Sequence, residues 1–139
     1  MILLDTNVVS EYRKDSYGKA DPRVVAWTKA QPKERLFISV ITLLEVEKGA
    51  LIMERRDRRQ GAVLRGWIEA TLIPSFDGRI LPVDERVALA TARLHMPNPG
   101  PVSDSLIAAT AIVHGMTIAT RNTGDFKGLP VGLINPWEM

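Results

Sequence analysis

The chain reads as an α/β protein, a three-layer α/β/α sandwich with a short central parallel sheet, on two observations. Short hydrophobic strand-like runs alternate with longer helical ones, the pattern that builds parallel sheets. One helical stretch, Leu106 to Val113, is almost wholly apolar, and a helix without a polar face belongs in the interior.

Ile2 to Leu4 is the first buried strand, and a helix follows from Thr6 to about Arg13, with Asp5, Thr6 and Asn7 all suited to its N-terminal cap. Asp21-Pro22 is a cap followed by proline at the first helical position, opening a helix that turns Val24, Val25, Trp27 and Thr28 inward. Leu36 to Val40 has the residues of a second strand. Thr42-Leu43-Leu44-Glu45 matches a capping box and is expected to begin a long helix with Leu43, Val46, Ala50 and Met53 as its buried stripe. The pattern repeats from Ala62 to Leu72 through Leu64, Trp67, Ile68 and Leu72. Pro74 to Gly78 is a turn and Arg79 to Leu81 a short strand. Asp84 caps a helix running to about Met96, which stops at the breaker-rich segment Pro97 to Pro101. The apolar helix ends at His114-Gly115, with glycine suited to the left-handed position beyond its last turn. Strands at Thr117 to Thr120 and Gly132 to Ile134 complete the set, within one domain spanning residues 1–139.

Composition narrows the chemistry. Hydrophobic content of 45% with 24% charged residues is that of an ordinary globular domain. With no cysteine and only two histidines, thiolate and imidazole metal sites are excluded, so any metal sits among oxygens. No run of about 20 apolar residues exists to span a membrane. Met1 leads straight into strand-like sequence without a basic leader, which together with the lack of cysteine sets the expectation of a cytoplasmic protein. The formal charge is +2, yet Arg55, Arg56, Arg58, Arg59 and Arg65 crowd one short region. That cluster is either a solvated helix face or a phosphate-tracking surface.

Four acids stand at element boundaries: Asp5, Glu45, Asp104 and Asp125. Singly, each has a structural use as a helix cap, capping-box partner, first-turn acid or turn residue. In an open parallel sheet, however, ligands collect beyond the carboxyl ends of the strands. Acids gathered there repel one another unless a cation neutralises them. An all-oxygen set suits Mg2+ or Mn2+, and phosphodiester hydrolysis is the reaction class that such ions serve.

Four segments sharpen this: Leu4-Asp5-Thr6-Asn7-Val8-Val9-Ser10-Glu11, Ser39 to Glu45, Asp104-Ser105-Leu106-Ile107-Ala108-Ala109-Thr110-Ala111, and Ala119-Thr120-Arg121-Asn122-Thr123-Gly124-Asp125-Phe126. In that order and spacing, and down to the closing Leu133 to Trp137, the chain resembles a PIN-domain ribonuclease, and more narrowly the VapC/FitB-type toxins of toxin–antitoxin pairs. The resemblance implies a Mg2+/Mn2+-dependent endoribonuclease with Asp5, Glu45, Asp104 and Asp125 as catalytic metal ligands. It implies supporting roles for Thr6, Asn7, Thr120 and Asn122, and partners in RNA, a cognate antitoxin and a second copy of the chain. Arg13, Arg121 and Lys127 are the expected contacts to the RNA backbone. The alternative is a catalytically silent PIN-like module that binds RNA or protein. Three departures from the usual pattern stand out: a short proline-rich stretch from Met96 to Val102, a second acid at Glu47, and Asp84, whose expected job is to cap its own helix.

Overall fold

A computed structural model describes residues 1–139. The chain runs through β1 (Ile2–Leu4), α1 (Thr6–Asp15), α2 (Pro22–Lys29), β2 (Leu36–Ser39), α3 (Val40–Arg56), α4 (Arg58–Trp67), a π-helical turn (Ile68–Leu72) and the single turn α5 (Ile73–Ser75). It continues through β3 (Ile80–Leu81), α6 (Glu85–Leu94), α7 (Val102–His114), β4 (Thr117–Ala119), a 3-10 turn (Thr123–Phe126) and β5 (Leu133–Ile134), and closes on a second 3-10 turn (Pro136–Glu138). All strands are parallel, in the order β3-β2-β1-β4-β5.

The two-residue period of the strands separates two cores. Ile2 and Leu4 of β1, Leu36 and Ile38 of β2 and Ala119 of β4 face one side, where they meet Val8, Val9, Val24, Trp27, Val46, Ala50 and Leu64 from α1 to α4. Leu3 and Ile118 face the other side and meet Ile107, Ala108 and Ala111 of α7. The sheet is thus the middle layer between two helical ones. No residue from Ser103 to Val113 is exposed, as the apolar composition of that helix requires. Gly115 follows it with φ +66°, the left-handed conformation that relieves its last carbonyls.

Two boundaries differ from expectation. The cap of α3 is Ser39, whose hydroxyl accepts from the Ile41 N–H at 3.0 Å, so the helix starts before the Thr42–Glu45 box. Thr42 is fully buried within the first turn of the helix instead. The physical reason is that β2 enters α3 with no loop between them, leaving the last strand residue as the only one in position to cap. The second difference concerns the helix expected from Ala62, which begins earlier, at Arg58, behind an Asp57 cap that accepts from Arg59 and Gln60 N–H groups at 3.1 Å. Asp84 does cap α6, accepting from Val87 N–H at 3.0 Å.

Candidate active site

The order of the sheet makes a seam between β1 and β4. The chain leaves β1 toward β2 and β3, then returns to the opposite side as β4 and β5, and a crevice opens at such a reversal beyond the strand ends. Asp5 follows the last residue of β1 at this seam. Its backbone N–H donates to Ala119 O at 2.9 Å, while Thr120 N–H donates to Ile134 O at 2.9 Å. Those two bonds continue the ladder one step past the strands and place Asp5 beside Thr120.

A hydrogen-bond web fixes Asp5. One carboxylate oxygen accepts from the Thr6 N–H at 2.8 Å, and the other accepts from the Thr120 hydroxyl at 2.8 Å and the Asn7 amide at 3.4 Å. The Thr120 hydroxyl in turn accepts from Asn122 N–H at 3.0 Å and the Asn7 amide at 3.3 Å. Asn7 Oδ1 accepts from Arg121 N–H at 3.2 Å, tying the β4 loop to α1. Glu45 comes in from α3, and its carboxylate accepts from the Thr6 hydroxyl at 2.7 Å, which itself lies 3.2 Å from the Thr42 hydroxyl.

Asp104 is in the first turn of α7 and is half-buried. No side chain holds it; its neighbour is held instead. Ser105 Oγ donates to Pro101 O at 2.8 Å and lies 2.9 Å from His95 Nε2 at the end of α6. Asp125 sits on the 3-10 turn Thr123–Phe126, pinned by the buried Phe126.

Asp5, Glu45, Asp104 and Asp125 line one cavity of about 280 Å³ with Thr6, Asn7, Ser10 and Asn122, and no hydrophobic residue takes part. The ion pairs of the molecule engage Glu11, Asp21, Glu47 and Glu54, so no lysine or arginine neutralises any of the four acids. The electrostatic cost is visible. Burial, opposed by the Thr120 and Thr6 hydrogen bonds and reinforced by Glu45 and Asp125, raises the Asp5 carboxyl above the ordinary carboxylate range. Burial, then Asp5 and Asp125, raises Asp104 likewise. As the side chains stand, no three of the acids are gathered tightly enough to enclose an ion. The donor set itself, four carboxylates with hydroxyl and amide neighbours and no soft ligand, fits a hard divalent cation.

Of the residues expected to contact RNA, Arg13 lines the cavity that adjoins the acids. The Arg121 guanidinium lies 5.4 Å from the Trp137 ring centre. Lys127 follows the 3-10 turn and does not line the acidic cavity. Sequence reasoning missed Ser10, which sits one turn beyond Thr6 on the cavity face of α1 and was legible from that i,i+4 spacing. It also missed the His95–Ser105 contact, for which no local signal exists.

A family pattern described as PIN domain matches residues 2–131. The chain belongs to the PIN-domain family. It is 39% identical over 143 aligned positions to Toxin FitB of Neisseria gonorrhoeae and 38% identical over the same span to a VapC ribonuclease of Sinorhizobium fredii, covering 99% of both chains in each case. The crystal structure of FitAcB from Neisseria gonorrhoeae superposes with a TM-score of 0.89 at 38% identity, covering all of both chains. A FitAB structure bound to a DNA fragment gives 0.87, covering all of this chain and 97% of that one. This PIN domain therefore shares fold and full length with these relatives, and it has no helix long and apolar enough to cross a membrane.

Proposed function

We propose that this PIN domain is a divalent-metal-dependent endoribonuclease acting as the toxin of a toxin–antitoxin pair. The observation that carries the reading is the single cavity lined by four carboxylates from four separate elements, with no cation of the protein's own to balance them. The names of its relatives, a VapC ribonuclease and a FitB toxin, support the substrate and the biological class.

Asp5, Glu45, Asp104 and Asp125 would hold Mg2+ or Mn2+. The ion supplies charge neutralisation at the scissile phosphate and lowers the pKa of attacking water. The protein's own part is orientation. Thr120 and the Thr6 N–H fix both oxygens of Asp5. The Thr6 hydroxyl fixes Glu45, and Asn7 and Asn122 brace Thr120. Outer partners of this kind keep ligands aimed at the ion. Ser10 and Asn122 are the uncharged polar groups on the wall that can meet the RNA.

The partners follow from the same cavity. A solved structure from Klebsiella pneumoniae, 27% identical to this chain, is a toxin–antitoxin complex, and a basic side chain inserted among four carboxylates is the chemically natural inhibitor. A homodimer is the expected assembly.

The test compares Asp5→Asn with wild type on RNA in Mg2+. The substitution keeps the shape, costs one of the two hydrogen bonds that Thr6 N–H and the Thr120 hydroxyl donate, and removes a buried, repelled charge in exchange, so melting stays near wild type while cleavage collapses. Equal cleavage by the two proteins rejects the scheme, and an unchanged melting temperature of wild type on adding Mn2+ supports the silent-module reading instead.

A further inference from the structure

The acidic cavity does not account for the other concentration of charge in the molecule. Arg55, Arg56, Arg58 and Arg59 put four guanidinium groups into five residues where α3 turns into α4. All four are exposed. None takes part in an ion pair or a side-chain hydrogen bond. Arg65 on the same hairpin shows that the fold can consume an arginine: it bonds Glu54 at 2.7 Å and Glu47 at 2.6 Å. The four at the corner are left bare. They also decide the sign of the molecule, since without them the formal charge of +2 becomes −2.

The corner is preorganised. Asp57 caps α4 through two N–H groups. Gly61 lies so close to α3 that a Cβ there would stand 2.6 Å from Glu54 Cα. The four arginines therefore sit on a tight helix junction rather than a floppy loop. The same helix α3 carries Glu45, and a rise of about 1.5 Å per residue puts Arg56 about 16 Å along the axis from it. Adjoining cavities lead from the acids toward the corner, though none is lined by the four arginines themselves. The acidic cavity shares Thr6, Ser10 and Glu45 with a neighbour, which shares Arg13 and Trp67 with an outer cavity reaching Gln60, the residue after Arg59.

We infer that the Arg55–Arg59 corner is an anchoring surface for the phosphate backbone of the RNA substrate, gripping a flank of the strand remote from the cleaved bond. This rests on the nuclease reading for its substrate. The physical basis is counterion release: each phosphate paired with an unneutralised guanidinium frees condensed salt, without regard to base sequence. Arginine suits the task because its planar fork meets two phosphate oxygens at once.

The test is RNA binding without divalent metal, so that no cleavage intervenes, read by fluorescence anisotropy on mixed-sequence single strands of about 4 and about 16 nucleotides, lengths that bracket common single-strand site sizes. The variants are Arg55→Gln/Arg56→Gln/Arg58→Gln/Arg59→Gln and the matching set of lysines. With four exposed side chains changed, melting should match wild type. For the glutamine set, affinity for the long strand falls at least about tenfold, and the slope of log affinity against log salt becomes shallower by up to about 3, at about 0.7 per phosphate contact. The short strand, which without metal has no better site than the corner, loses affinity as well, and the lysine set recovers most of the loss. Wild-type binding of the long strand by the glutamine set overturns the inference. So does a loss confined to duplex DNA or to antitoxin binding. A separate cleavage assay in Mg2+ isolates the underlying reading: a wild type that grips RNA through the corner and fails to cut it refutes the nuclease and keeps the anchor.

Discussion

Carboxylates are handled in opposite ways along α3. Near its start, Glu45 joins Asp5, Asp104 and Asp125 around one cavity, where only neutral groups donate to them. Further along, Glu47 and Glu54 are both satisfied by Arg65. The side-chain types are the same and the helix is the same. The difference is that one set is balanced inside the protein, while the other has no cation of the protein's own. Glu47 and Glu54 are balanced by a cation from their own chain, whereas the cavity acids lack one at a place where burial makes the lack costly.

That contrast can be broken most severely at Asp104. Asp104→Asn should reduce RNA cleavage in Mg2+ by more than the roughly 10–100-fold expected for losing an outer-shell partner. Without metal it should leave the melting temperature equal to or above wild type, because it removes a repelling charge. Next comes Thr120→Val, which takes the hydroxyl from Asp5 and keeps the shape. Titration calorimetry with Mn2+ should show affinity lower by about 10–100-fold, and unchanged affinity would make Thr120 a loop residue only.

Further along the helix the effects are on stability. Gly61→Ala drives a methyl into Glu54 of α3, a backbone contact that cannot yield cheaply, and urea denaturation should register a loss of about 1–3 kcal/mol. Arg65→Met leaves Glu47 and Glu54 without a partner. These groups are about one-third exposed, so solvent screening keeps the cost small, and urea denaturation should show a loss well below that of Gly61→Ala. Cleavage should survive both changes.

The smallest effect is on pH. Asp5 and Asp104 have carboxyl pKa values raised in the folded state, so between the ordinary value of 3.8 and the raised one the native protein holds more protons than the unfolded chain. Metal-free stability must then fall as pH rises through that window. Mn2+ should reverse the trend by binding the ionised acids, and melting curves at several pH values with and without Mn2+ check both signs.

The layering was legible because it follows from short-range patterns. Alternation in Ile2-Leu3-Leu4 sends side chains to two cores, and the apolar run to Val113 can only be interior. The four acids were legible as boundary residues, and their order in the chain pointed to one family. What the sequence could not disclose is pairing across the chain. Nothing near Thr6 announces that it bonds Glu45, and nothing near His95 announces Ser105, since both contacts exist only after distant helices pack. The α3 cap went to Ser39 for a related reason: Thr42-Leu43-Leu44-Glu45 is a sound local signal, but direct entry of β2 into the helix overrides it.

One acid of the cavity rides on the innermost helix, and the arginine corner rides on an outer hairpin tip. Amide exchange should accordingly split the two places in time. Amides of the exposed tip should exchange before those of the buried middle of α7, and Asp104, in the first turn of that helix with no side chain holding it, should exchange ahead of the residues behind it.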